Sequence, residues 1–295
     1  MILVVVLATM LNSSGGDAQA DSLDESSQGP ANVKNIQVKI NAIFSPLANE
    51  DSPGLAVLVV KDGQKLFERG YGVPDLRSAA KIDKQTNFRL ASCSKQFTAM
   101  SIMLLVHNGK LRYDQKLADV FPEFPAYGKS ITIRNLLNHT GGLQDYETLM
   151  DQAAAQDPAK HTWTEEKQIQ DAEVLALLEQ TDHGMFAPGT QWYYSNSGYV
   201  VLGLVVAKVS GQPFGEFLLQ RIFAPLHMDH TVAYERGKNE ITNRAYGHTK
   251  QGNGWKQTDQ SSTSATLGDG GIYSSLEDLA KWDEALRTNQ LLTKE

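Results

Sequence analysis

The sequence predicts an α/β (α+β) fold in which a helical lobe is inserted into a sheet-bearing lobe. Two strand-like runs, residues 54–60 and 67–71, come first and are joined by a turn at Lys61-Asp62-Gly63-Gln64. Segments of helical character then fill the middle of the chain, and a second hairpin signal, Asn253-Gly254, comes late. With 295 residues, 41% of them hydrophobic, the chain can bury a large core in one domain or two lobes.

Each element has a local reason. Residues 33–47 pattern as an amphipathic helix ahead of the first hairpin. A helix opens near Ser92, runs through Ile102, Met103, Leu104, Leu105 and Val106, and stops at Asn108-Gly109, where glycine suits a left-handed C-cap. Ile131-Thr132-Ile133 leads into a short helix that ends before Gly141-Gly142. A longer helix is expected from Thr164, which can cap it, with Glu165 and Glu166 in the first turn. Residues 198–209 read as a buried helix ended by Gly211, and 213–223 as another. Asn253-Gly254 separates strands at 244–249 and 255–258, and Ser275 with Asp278 has the pattern of a capping box before the last helix.

The ends and the charge bound the function. Residues 2–11 are apolar and are followed by small and polar residues and then Ala18-Gln19-Ala20, the pattern of a secretory signal cleaved after Ala20, although no basic residue precedes the apolar run. A disordered tail is the competing reading. Residues 1–20 are therefore expected as a signal peptide, 21–33 as a polar flexible leader and 34–295 as the folded domain, secreted or periplasmic. With 27 Lys and Arg against 34 Asp and Glu, the net charge is −7 and no dense basic run occurs, which argues against nucleic acid or anionic membrane as partners. No apolar segment reaches the length of a membrane span. Cys93 is the only cysteine, so no intrachain disulfide forms; one position past Ser92 on a helix, it is expected to face away from Lys95 and pack as a small hydrophobe.

The chemistry concentrates at Ser92-Cys93-Ser94-Lys95. Three residues are nearly one helical turn, so Ser92 and Lys95 share a face. A serine hydroxyl becomes a useful nucleophile when a neighbouring base takes its proton, and a partly buried lysine can lose its charge to become that base. The first N–H groups of the helix also face a developing oxyanion. A second element is Tyr194-Ser195-Asn196, where a phenol and an amide two residues apart in extended backbone point to one side. Against this, Trp192, Tyr193 and Tyr194 could be packing aromatics and Asn196 a helix cap. His139, before a Thr-Gly-Gly turn, reads as fixing that turn rather than as a base. His227 and His230 follow Pro225 without further ligands, which argues against a zinc site. There is no G-x-S-x-G and no dinucleotide or P-loop pattern.

Taken with Asn87-Phe88-Arg89-Leu90-Ala91, Leu136-Leu137-Asn138-His139-Thr140-Gly141-Gly142-Leu143 and Trp192-Tyr193-Tyr194-Ser195-Asn196-Ser197-Gly198-Tyr199, these motifs resemble the class C β-lactamase-like serine hydrolases over roughly residues 34 to 295. That family includes DD-peptidases, D-amino-acid peptidases and esterases. The resemblance implies a β-lactamase-like antiparallel sheet lobe with an inserted all-helical lobe, and an acyl-enzyme at Ser92. It implies Tyr194 beside Ser92 and Lys95 as base and as proton donor to the leaving group, with Asn196 orienting Lys95 and binding substrate. Lys95 would favour the phenolate by its charge or, if neutral, would itself be the base. No metal or organic cofactor is implied, and the expected partner is a small-molecule or peptide substrate: a β-lactam, a D-alanyl peptide or a small ester.

The family's third motif, a Lys/His-Thr/Ser-Gly strand, follows a segment like Gly270-Gly271-Ile272-Tyr273-Ser274-Ser275, and only one helix's worth of chain follows that segment here. His248-Thr249-Lys250 precedes it and belongs to the hairpin. The chain is thus expected to be truncated, lacking its last sheet strands and one oxyanion donor, and hence weakly stable and poorly active. A catalytically impaired relative that binds cell-wall peptides is the alternative function, and a plain structural domain a third.

Overall fold

A computed structural model describes residues 3–8, 30–49, 51–159 and 162–292. In chain order the elements are β1 (Leu3–Ala8), α1 (Pro30–Phe44), β2 (Leu55–Lys61), β3 (Gln64–Tyr71), β4 (Phe88–Arg89), α2 (Lys95–His107) and α3 (Leu117–Val120). There follow α4 (Ile133–Leu137), α5 (Tyr146–Gln156), α6 (Asp171–Glu179), α7 (Asn196–Ser210) and α8 (Phe214–Leu218). The chain then runs through β5 (Val232–Ala233), β6 (His248–Gln251), β7 (Gly254–Gln257), α9 (Leu267–Gly270), β8 (Ile272–Ser274) and α10 (Leu276–Thr288).

The expected first hairpin forms. β2 pairs antiparallel with β3 through Asp62 and Gly63, both at positive φ (52° and 76°), as a tight hairpin turn requires. β2 is an almost unbroken apolar run, and both its faces are covered. Leu55 and Val57 pack with Phe67, Tyr71, Ile40 and Phe44, the last two from α1. Ala56, Leu58 and Val60 point the other way, toward Phe88, Ala245 and Leu276. The other edge of β2 pairs in parallel with β1, so this sheet is not purely antiparallel. Within the expected signal segment, residues 3–8 form β1, whereas residues 1–2 and 9–29, including the Ala18-Gln19-Ala20 motif, lie outside the described residues. β4, β8 and β5 make a second small antiparallel sheet, and β6 with β7 a third.

Several boundaries differ from expectation. The helix predicted from Ser92 opens as a 3-10 turn over Ala91–Ser94, and the α-helix begins at Lys95. This overturns the packing expected for Cys93: with about 120° between successive residues, Ser94 turns inward and Cys93 is exposed. No helix starts at Thr164. Its Oγ1 accepts the N–H groups of Glu166 and Lys167 and closes a local turn instead, and α6 begins only at Asp171 behind a Gln170–Glu173 capping box. α5, which the sequence pattern does not announce, is capped by the Asp145 carboxylate on Thr148 N–H. The late hairpin turns at Gly252-Asn253 rather than Asn253-Gly254, because Gln251 pairs with Gly254 and Gly252 takes the positive φ. Ser275 caps α10, but the Asp278 carboxylate does not return to it; it receives His230 N–H and Thr231 Oγ1–H instead.

The helical lobe surrounds α2 and α7. Phe97 on α2 is fully buried against Phe223 (ring centroids 5.5 Å apart) and Trp282 of α10 (4.5 Å). α7 runs to Gly211, which takes the left-handed C-cap at φ 74°. The short α9 lies directly on α7, and two glycines permit it. A Cβ on Gly268 would come within 2.2 Å of the Tyr199 carbonyl oxygen, and one on Gly203 within 3.1 Å of Gly268 Cα. Backbone cannot yield as a side-chain tip can. Gly268→Ala is therefore expected to destabilise the fold at or above the upper end of the ~1–3 kcal/mol typical of overpacking, read as a lower urea midpoint. An unchanged midpoint would contradict so close an approach of α9 to α7.

Candidate active site

Four segments meet at Lys95. Ser92 and Lys95 come from the 3-10 turn and the start of α2. Asn196 is the first residue of α7, just after Tyr194 and the N-cap Ser195, whose hydroxyl accepts Gly198 N–H. Asp269 lies in α9. The Lys95 ammonium is buried, and its three N–H groups have three acceptors: Ser92 Oγ at 3.1 Å, Asn196 Oδ1 at 2.8 Å and the Asp269 backbone carbonyl at 2.8 Å. Tyr194 Oη is hydrogen-bonded to Ser92 Oγ at 2.6 Å. Lys95 Nζ also lies 5.0 Å from the Tyr194 ring centroid and 5.7 Å from that of Tyr199. The four residues singled out from the sequence are thus in one hydrogen-bonded group.

Ser92 is held at the surface by what lies before it. Leu90 N–H bonds the Ile272 carbonyl at 2.8 Å, and Ile272 N–H bonds Ser94 Oγ at 3.2 Å, so β8 grips both ends of the turn. Between them Ala91 takes φ 47°, a left-handed conformation that costs a non-glycine residue ~1–2 kcal/mol. The tightened turn leaves Ser92 exposed while Lys95, three residues on, is buried.

A half-buried aspartate supports α9 from behind. The Asp171 carboxylate, at the start of α6, accepts Leu267 N–H at 3.1 Å and so holds the first turn of α9. On the other side Thr98 of α2 donates to the Gly268 carbonyl at 2.6 Å. Enclosure of its carboxyl group, with the nearby Asp269 charge, pushes Asp171 up to about 7. Burial also pushes the Asp269 carboxyl up, against the opposing influence of Thr266, Lys95 and Arg89. Asp269 Oδ2 lies 3.5 Å from the Tyr146 hydroxyl, and Oδ1 is buried without a hydrogen-bond partner among the described residues.

His139 sits behind Tyr194, its ring stacked on the phenol with centroids 4.6 Å apart and its Nδ1 accepting Ser195 N–H at 3.1 Å. Burial, and then the Lys95 charge, hold its pKa below the ordinary histidine value. His248, of the discounted His248-Thr249-Lys250 match, lies in β6, in the separate two-stranded hairpin. The Asp269 carbonyl, Asp171 and the stacking of His139 are not legible in the sequence. A backbone acceptor has no residue-type signature, and Asp171 is 96 positions from the N–H it receives.

A family profile described as Beta-lactamase matches residues 40–295. Penicillin-binding protein 4* of Bacillus subtilis (strain 168) is 30% identical over 273 residues, which cover 88% of this chain and 58% of that protein. Among solved structures, D-amino acid amidase from Ochrobactrum anthropi SV3, complexed with L-phenylalanine amide, is similar with TM-score 0.69 and 25% identity. That match covers 89% of this chain and 70% of the other. A penicillin binding protein from Bacillus halodurans is similar with TM-score 0.66 and 27% identity, over 81% of this chain and 70% of the other. The chain therefore spans little more than half the length of the curated relative.

The Asp171 environment sets a pH dependence. Between about pH 4, where an unfolded aspartate ionises, and about 7 the folded protein keeps a proton that the unfolded chain releases. This group's contribution to stability is full below about pH 4 and is lost as the pH rises through about 7. In Asp171→Asn the decline of the urea midpoint between pH 4 and 8 is expected to shrink, leaving the part due to the other carboxyls that burial pushes up, Asp269, Glu147 and Asp283. An equally steep decline in the variant would assign the proton elsewhere.

Proposed function

The chain belongs to the β-lactamase family, and from that premise we propose that it is a serine hydrolase forming an acyl-enzyme at Ser92 on an amide or ester carbonyl. The observation that carries this reading is the convergence of Lys95 Nζ and Tyr194 Oη on Ser92 Oγ, at 3.1 and 2.6 Å. Two of Lys95's acceptors, a side-chain amide oxygen and a backbone carbonyl, can only accept. Tyr194 O–H and the third Lys95 N–H both donate to Ser92 Oγ, so the nucleophile lies between two groups able to exchange its proton. The Tyr194–Lys95 pair takes the serine proton as Oγ bonds to the carbonyl carbon. The same proton passes to the departing amine or alcohol as its bond to carbon breaks. Water attacks the ester at Ser92, gives up a proton by the same route, and returns the serine hydroxyl. Asn196 keeps Lys95 in place and offers its amide N–H groups to the substrate. The Ser92 N–H is the donor this turn offers to the oxyanion, since that of Cys93 goes to the Leu90 carbonyl at 3.1 Å.

The names of the similar proteins, a penicillin-binding protein and a D-amino acid amidase, support a β-lactam or a D-amino acid amide as substrate; a D-alanyl peptide or a small ester would offer the same kind of carbonyl. Residues 2–11 with Ala18-Gln19-Ala20 support secretion or a periplasmic location; among the described residues no helix is long and apolar enough to cross a membrane.

Turnover of a chromogenic ester, a D-amino acid amide and a penicillin tests the reading. Ser92→Ala is expected to abolish turnover while costing ~1–3 kcal/mol of stability, because the hydroxyl caps no helix but accepts from the buried Lys95. Tyr194→Phe is expected to lower kcat by at least ~100-fold, the lower end for an acid/base residue, with KM changed far less because the ring remains. Near-normal turnover in Tyr194→Phe would make Lys95 the base by itself, and turnover surviving in Ser92→Ala would remove the nucleophile assignment.

A further inference from the structure

We infer that His139, as a neutral imidazole protonated on Nε2, is the positioning residue that sets Tyr194 against Ser92. This rests on the acid/base role proposed for Tyr194. Three consecutive residues of the tyrosine loop are fixed by this one histidine. Its backbone carbonyl accepts Tyr193 N–H at 3.0 Å, its ring stacks on Tyr194 at 4.6 Å with 29° between planes, and its Nδ1 accepts Ser195 N–H at 3.1 Å. The opposite ring contacts are Tyr199 at 5.1 Å and the edge of Trp192 at 6.1 Å.

The histidine itself is anchored. Its N–H bonds the Leu136 carbonyl, and Thr140 N–H bonds the Asn135 carbonyl at 2.8 Å. Its backbone has φ 61°, a left-handed conformation uncommon for a non-glycine residue. Turn fixing alone would need neither the ring contact with Tyr194 nor the bond to Ser195.

The Ser195 N–H requires a lone pair on Nδ1, so the proton of the neutral ring belongs on Nε2. The charged and titratable groups facing the ring are Lys95 from α2, Tyr194 from the loop and Tyr199 from α7, whose hydroxyl is turned away to the Leu137 carbonyl. Protonating Nδ1 would set donor against donor at Ser195 and add a second cation near Lys95. Acidification is therefore expected to loosen the loop and draw Tyr194 off Ser92.

Two variants separate positioning from mere packing. His139→Ala loses acceptor and ring and is expected to lower kcat by at least ~10-fold with KM within about 3-fold, since small misplacements of a reacting group cost up to ~100-fold. His139→Asn tolerates the left-handed φ and keeps an acceptor near the Nδ1 position, but it does not titrate. It is expected to recover most of the kcat lost in His139→Ala and to extend activity to lower pH than wild type. Equal kcat in His139→Ala and wild type, or a wild-type acid limb in His139→Asn, would overturn the inference. Long-range 1H–15N NMR reads the tautomer even if turnover is absent. A neutral ring protonated on Nε2 at pH 7 is expected, and a charged ring or an Nδ1–H tautomer would overturn the inference independently of whether the protein is a hydrolase.

Discussion

The site depends on one buried cation. Lys95 has almost no exposed surface, and an ammonium taken from water costs several kcal/mol unless every N–H finds a partner. Here the partners come from three places: the turn that opens α2, the first residue of α7 and the carbonyl of Asp269 in α9. Satisfying one amino group therefore fixes the relative positions of three segments, and Ser92 and Tyr194 are carried into contact with each other. Moving any one segment by an ångström would leave a buried N–H unpaired, so this arrangement is sharply defined.

Bringing a backbone carbonyl to Lys95 demands that α9 lie against α7 more closely than side chains allow, which is why Gly203 and Gly268 face each other. Asp171 and Thr98 then grip α9 from opposite sides. The cost appears as enclosed carboxyls whose ionisation is suppressed and as an Asp269 oxygen without a partner among the described residues. Two backbone conformations next to the site are also unfavourable. Ala91, before the serine, and His139, behind the tyrosine, are both left-handed without being glycine, and each is held there by hydrogen bonds on either side. Such conformations persist where the surrounding structure enforces them.

Much of this was legible in the sequence because local chemistry decided it. Asp62-Gly63 fixes the hairpin turn, the continuous apolar run of β2 announces a strand covered on both faces, and Gly211 ends α7. The Ser92–Lys95 and Tyr194–Asn196 spacings marked out two pairs, each set by one turn or one loop, and the resemblance to the β-lactamase-like hydrolases put the two pairs together. Tertiary contacts decided the rest. Ile272 grips the Ser92 turn and tightens it to a 3-10 conformation, which exposes Cys93. Thr164 closes its own small loop where a helix cap was expected, since the Thr164 side chain found N–H groups two and three residues on without any helix to follow. The Asp269 carbonyl could belong to any residue type, so only the fold reveals it.

The most direct measurement is the rate and position of fluorophosphonate labelling in wild type and in Lys95→Met, read by intact mass and peptide mapping. Methionine keeps the length of the side chain and removes all three N–H groups. Wild type is expected to carry a single adduct on Ser92, and Lys95→Met, with near-ultraviolet circular dichroism showing that it is still folded, to label at least ~100-fold more slowly. An adduct on Cys93, Ser94 or Ser195, or a Lys95→Met variant that labels Ser92 as fast as wild type, would contradict the central role given to the buried amino group.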